Sequence, residues 1–149
     1  MPDSSERGPV DWNALQTVER IFRDRLDGLV AETTYDPNAI DPVELRITLA
    51  VGFENGRSRF DIQWWTNHGY KYHYSESESD LEFRFGWETR PGTTYPEKHF
   101  HPPTNTTEHR ESCIRHEVPE LVTLAVIKCW WTALEAEDPS LLNDLDEPP

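Results

Sequence analysis

The chain has 149 residues, 14 basic against 28 acidic, a formal net charge of −14 and an aromatic content of 11% that includes six Trp. That length suits one domain with a core of its own, and the aromatic content argues against a disordered chain despite the charge. No apolar run reaches the roughly 18 residues of a spanning helix and no basic-then-apolar leader is visible, so a cytoplasmic protein with no membrane partner is expected.

Lysine occurs only at Lys71, Lys98 and Lys128, and arginine supplies the other eleven bases. An acidic, arginine-rich composition is the habit of halophilic proteins: in molar salt the screening length falls to about 3 Å and hydrated carboxylates keep the chain soluble. An acidic protein working at ordinary salt is the alternative. Cys113 and Cys129 are too widely spaced for a metal knuckle and read as buried thiols.

In chain order, residues 1–10 form a Pro- and Ser-rich flexible tail, 11–138 a single domain and 139–149 an acidic flexible tail. From Asp11 to about Glu32 the residues Leu15, Val18, Phe22, Leu26 and Leu29 recur at helical spacing, with Asp11 placed to cap them. Pro37 and Pro42 punctuate a loop. Val43, Leu45, Ile47, Leu49, Val51 and Phe53 then alternate with mostly polar neighbours, and Asn55-Gly56 follows as a two-residue hairpin turn. Counting back from that turn pairs Val51 with Phe60, Leu49 with Ile62 and Ile47 with Trp64. Counting onward pairs Trp64 with Tyr72, Ile62 with Tyr74, Tyr74 with Leu81 and Tyr72 with Phe83.

A second helix is expected from Val118 to about Glu137, with Pro119 in its first turn. Leu121, Val122, Leu124, Val126, Ile127, Trp130, Trp131 and Leu134 leave it only a narrow polar stripe of Glu120, Thr123, Lys128, Thr132 and Glu135. A helix so apolar is buried on more than one side, which makes it a candidate homodimer contact. The predicted fold is α+β: an antiparallel meander of four to five strands, with an N-terminal and a C-terminal helix packed on one face.

The opposite face then carries two rows of polar residues. One is Gln63, His73 and Glu82; the other is Trp65, Lys71 and Arg84, with Arg59 and Asp61 further along. Indole beside two cations could stack a nucleobase and hold its phosphate, although a solvated face with ordinary ion pairs would look the same. Downstream, prolines hold Lys98-His99-Phe100-His101 extended, and a period of two sets His99 and His101 on one side. Such a pair could bind a metal with His109, His116 or Glu97, or serve as acid and base in phosphodiester cleavage. It could equally be two structural histidines.

Three segments in order, Gly69-Tyr70-Lys71-Tyr72-His73-Tyr74, Phe83-Arg84-Phe85 and Thr94-Tyr95-Pro96-Glu97-Lys98-His99-Phe100-His101, resemble the TumE family of toxin-antitoxin toxins. The resemblance covers roughly residues 43–105, and it departs at Gly86-Trp87, where the family pattern has Asp-Asn. It implies a growth-inhibiting toxin neutralised by a helix-turn-helix antitoxin, with RNA as the candidate target and no cofactor. On that reading His73 or His99 accepts the 2′-hydroxyl proton, His101 donates to the leaving oxygen, and Arg84 with Lys98 stabilises the phosphorane. Trp65 stacks a base, beside Lys71, Gln63 and Glu82. Two other classes compete: a non-catalytic interaction module that uses the same face, and a metal-binding protein that uses His99 and His101.

Overall fold

A computed structural model describes residues 8–54, 56–67, 69–77, 79–88, 96–103 and 107–144. Helix α1 (Trp12–Arg25) leads into β1 (Val30–Asp36), β2 (Glu44–Leu49), β3 (Ser58–Trp64), β4 (Tyr70–Ser75), β5 (Glu82–Trp87), β6 (Lys98–His101) and β7 (Arg110–Glu111). Helix α2 (Pro119–Glu135) and a 3-10 helix (Pro139–Asp144) close the chain. The strands form one antiparallel sheet of seven in sequence order, each beside its predecessor. The α+β class and the meander are as expected, and the sheet is larger than the predicted four to five strands.

The first difference lies in α1. Asp11 caps it, its Oδ1 accepting from the Ala14 N–H at 3.0 Å, yet the helix stops at Arg25 rather than near Glu32. Gly28 follows with φ +87°, a left-handed conformation that breaks the helix, and Val30, Thr33 and Thr34 then favour a strand. Leu29 had only the accidental spacing of a helical residue. Strand β7 is two residues long and left no periodic signal. At the other end Pro139–Asp144, expected as tail, is a 3-10 helix whose Leu142 is 3% exposed.

The second difference is register. Leu49 pairs with Ser58, Ile47 with Phe60 and Leu45 with Ile62, so the expected pairing is displaced by four residues. Between β3 and β4, Trp64 pairs with Tyr70, and between β4 and β5, Tyr74 pairs with Phe83, each displaced by two. Asn55 lies outside the described residues; the ladder ends at Leu49 and Ser58, so residues 50–54 and 56–57 are unpaired in it where the counted register had carried the strands up to the turn. Glu76, 2% exposed, holds this stretch: its carboxylate accepts from the N–H groups of Phe53 and Glu54 at 2.5 and 2.9 Å and from the Tyr74 hydroxyl at 2.6 Å. A buried carboxylate with three donors is a satisfied one.

Every displacement is even, and side chains alternate with a period of two, so each residue stays on its expected face. Leu45, Ile47, Phe60, Ile62, Tyr72, Tyr74, Phe83, Phe85 and Phe100 form the buried face. Both helices cover it: Phe22 of α1 meets Phe60 at 5.4 Å between ring centres, and Trp130 of α2 meets the same ring at 6.1 Å. Thr123, expected in the polar stripe of α2, is buried with its hydroxyl 2.7 Å from that of Tyr72, which also accepts from the Trp64 indole N–H. Cys113 and Cys129 are buried free thiols, 3.8 Å apart. Among the described residues no helix is long and apolar enough to cross a membrane.

Candidate functional site

With the helices on one face, the other face carries the polar side chains, half-buried on β3 and β4 and buried at His99 and His101 on β6, and the observed pairing fixes their order. Arg46 stands opposite Asp61, Asp61 opposite His73, His73 opposite Arg84, and Arg84 opposite His101. One row of polar side chains thus crosses β2 to β6. The neighbouring row runs Gln63, Lys71, Gly86, His99 and Glu111. The site residues are therefore gathered in a combination that differs from the counted one, because slipping by two residues keeps the face and changes the neighbours.

Arg84 is the centre. Its Nη2 lies 2.8 Å from His101 Nε2. A guanidinium can only donate, so this Nε2 presents its lone pair, and the His101 proton sits on Nδ1. On the other side His73 Nε2 lies 3.5 Å from Glu82 Oε2, a diagonal contact, since Glu82 itself is paired with Ser75. His73, Glu82, Phe83, Arg84 and His101 together line a small cavity of about 80 Å³. Burial, the largest influence, lowers the His73 pKa below its ordinary value, opposed by the carboxylates of Glu82 and Asp61. His73 is neutral at neutral pH, with a carboxylate in place to stabilise the imidazolium once a proton arrives.

His99 is held more tightly. It is 2% exposed, its Nδ1–H donates to the Glu97 carbonyl at 3.2 Å, and Glu88 Oε1 lies 3.9 Å from Nε2. Burial again pushes its pKa down. A Cβ at Gly86 would come within 2.8 Å of His99 Nε2, so the absence of a side chain at position 86 is what lets the imidazole lie across β5. The departure Gly86-Trp87 in the sequence thus has a local packing reason. The exposed His109 joins the group, its ring 4.4 Å from His101 and 5.6 Å from His99.

Two expected site residues are placed elsewhere. Lys98 pairs with Trp87 and shares the side of the sheet that carries Phe85 and Phe100. Its Nζ donates to the Arg115 carbonyl at 2.9 Å and to Glu117 at 2.5 Å, and lies 5.2 Å from the Trp87 ring. It is on the far side of the sheet from Arg84 and cannot share a phosphate with it. Trp65 ends β3 by bridging Val10, and its ring lies 3.5 Å from where a Gly69 Cβ would be. It packs over the β3–β4 turn, and the residue beside Arg84 is His73. Lys71 and Gln63 are half-buried members of the His99 row.

The metal reading meets a geometric objection. Among the described residues no group of three or more His, Cys, Asp or Glu is arranged to hold a metal ion. His101 Nε2 is turned onto Arg84, and His116 is exposed beyond β7.

Counting from the sequence missed two residues of the central row. Asp61 is 12% exposed at its side chain and accepts from Arg46 Nε at 2.9 Å and Arg59 Nε at 3.1 Å. Asp61 had been placed beyond the site and Arg46 had no place in it. Both lie on the correct face by parity, so the alternation signal was present and only the loop length hid them.

Residues 18–131 match the sequence model of a protein family described as toxin TumE. No curated protein and no solved structure matches the chain.

Proposed function

The chain belongs to the toxin TumE family, and on that premise we propose that it acts on RNA by metal-independent cleavage at the His73–Arg84–His101 row. One observation carries the reading: a guanidinium flanked in one row by two imidazoles, one kept neutral by burial and the other presenting a lone pair. Phosphodiester cleavage by an internal hydroxyl requires a base, an acid and a charge-stabilising donor: a neutral imidazole is the base, the guanidinium the donor, and the second imidazole becomes the acid once it has taken up a proton.

In the proposed sequence the substrate phosphate draws the Arg84 Nη2–H away from His101. His101 Nε2, now beside an anion, takes up a proton from solvent, to which His73 returns one after the turnover. His73 Nδ1 accepts the 2′-hydroxyl proton while Nε2–H faces Glu82. The O2′–P bond forms, the phosphorane charge rests on Arg84, the P–O5′ bond breaks, and His101 returns its proton to O5′. The products are a 2′,3′-cyclic phosphate and a 5′-hydroxyl. His99 positions β6 through Glu97 and Gly86, without touching the phosphate. Lys98 has no role.

Incubation of the full chain with RNA in molar KCl and EDTA, followed by end-group analysis, tests this. Cyclic phosphate ends that disappear in His73→Ala and Arg84→Ala support the proposal. Intact RNA, or ends with a 5′-phosphate, would sink it.

Toxin family membership points to an antitoxin partner in general; that it carries a helix-turn-helix is part of the proposal. A second copy of the chain is the proposed occupant of the outer face of α2, where Leu121 and Trp131 are 45% and 38% exposed beside a groove of about 480 Å³ lined by Leu26, Leu29, Leu124 and Ile127. Light scattering that returns a monomer at every concentration would remove this contact.

A further inference from the structure

The proposed reaction uses His73, Arg84 and His101, and leaves the other end of the polar face unexplained. There the structure places a groove of about 330 Å³ lined by Arg46, Arg57, Arg59, Thr34, Thr48 and Ser75, with one carboxylate, Glu32, also in its lining. A chain of net charge −14 has here put three arginines around one depression. Asp61 explains how two of them stay together: one carboxylate holds both Nε atoms, at 2.9 and 3.1 Å. Glu44 forms a second, looser ion pair with Arg46, its Oε1 3.8 Å from Nη2. Arg57 is exposed on the neighbouring loop.

We propose that this groove is a subsite for the backbone phosphate of a single-stranded RNA, adjoining the nucleotide that is cut. The proposal rests on the cleavage reading for its substrate class, and on the groove alone for its location. Asp61, which holds Arg46 and Arg59, is paired with His73, so the groove's arginines adjoin the catalytic row. Arg59 lies two residues from Asp61 on β3, about 7 Å along an extended strand, a step that matches the spacing of successive phosphates in a stretched single strand. Thr48 and Ser75 also line the groove and their hydroxyls can meet ribose or phosphate oxygens, whereas the Thr34 hydroxyl donates to Glu32 at 3.3 Å. Such a patch also concentrates an anion locally although the whole molecule repels it. The groove offers the strand charge and hydroxyls without a base-reading edge, so it sets direction and length of the bound strand rather than sequence.

The test uses the full chain and a fluorescein-labelled 12-nucleotide 2′-O-methyl RNA, which binds but has no free 2′-hydroxyl to react. Anisotropy titrations at several salt concentrations compare wild type with Arg57→Ala, Arg59→Ala and the double variant, with Arg20→Ala on α1 as a remote control and circular dichroism to check folding. The double variant is expected to raise Kd about tenfold and to reduce the slope of log K against log salt by about 1 to 2, as loss of two phosphate contacts requires. Unchanged Kd and slope in folded variants of a wild type that cuts unmethylated RNA overturn the groove and leave the cleavage reading standing. Arginine-dependent binding by a wild type that cuts nothing upholds the groove and removes the cleavage reading. Tighter binding of an acidic peptide than of the oligonucleotide would also overturn it, by making the groove a protein contact.

Discussion

The two faces of the sheet are made by the same strands and the same alternation, yet they tolerate error differently. On the covered face Phe60 touches Phe22, Tyr74, Phe83 and Trp130, and any large apolar neighbour would satisfy it. A displacement of two or four residues there exchanges one aromatic for another. On the polar face the same displacement changes chemistry: it takes Trp65 and Lys71 away from Arg84 and gives it His73 and His101. Burial energy is non-directional, whereas proton transfer and charge stabilisation depend on which atoms are within about 3 Å. The covered face stabilises the molecule; the polar face specifies it.

If this division is right, variants on the two faces should separate cleanly. The largest expected effect is on the polar face: Arg84→Ala should lower RNA cleavage by about 100- to 10,000-fold, as loss of a charge-stabilising or proton-transferring group does, with the urea midpoint little changed. A comparable loss of stability would instead show that Arg84 is structural. Next, Phe60→Ala should cost about 3–5 kcal/mol in chemical denaturation, leaving the activity per folded molecule intact. Smaller again is Tyr72→Phe, which removes the hydroxyl shared by Trp64 and Thr123 and should cost about 1–3 kcal/mol. The smallest effect is a pH dependence. His73 and His99 have folded pKa values below the ordinary one, so around pH 6.5 and below the unfolded chain binds protons that the folded chain does not. Stability is then fully present above about pH 6.5 and declines on acidification. Thermal melts from pH 7.5 to 5.5 should show that decline, and His99→Gln should make it shallower. An unchanged profile would mean that the buried imidazole does not titrate against folding.

The same contrast explains what could be read from residues alone. The alternation of Leu45, Ile47 and Leu49, of Phe60 and Ile62, and of Tyr72 and Tyr74 displayed the sheet and its two faces, and Asp11 and Pro119 marked the helix starts. Which residues stand side by side was hidden, because it depends on how the loops close. Phe53 and Glu54 look like strand and turn, but Glu76, from the following hairpin, captures their N–H groups and ends β2 early. No local pattern announces a capture across that separation. Likewise β1 was masked by the helical spacing of Leu29, which one glycine at 28 cancels. The pairing of His99 and His101 on one side was legible from their spacing. The position of Lys98 on the reverse side follows from the same parity, and was overlooked because charge alone suggested a partner for Arg84.

The even displacement also bears on how such a protein diversifies. Adding or deleting residues in pairs within the segment 50–57, or in the bends that follow it, would slide one ribbon past the next while every greasy side chain remained indoors. A lineage could in this way deal new combinations from an unchanged hand of histidines and arginines, altering what is recognised without renegotiating the interior. A change by one residue would turn the whole strand inside out, and selection should remove it.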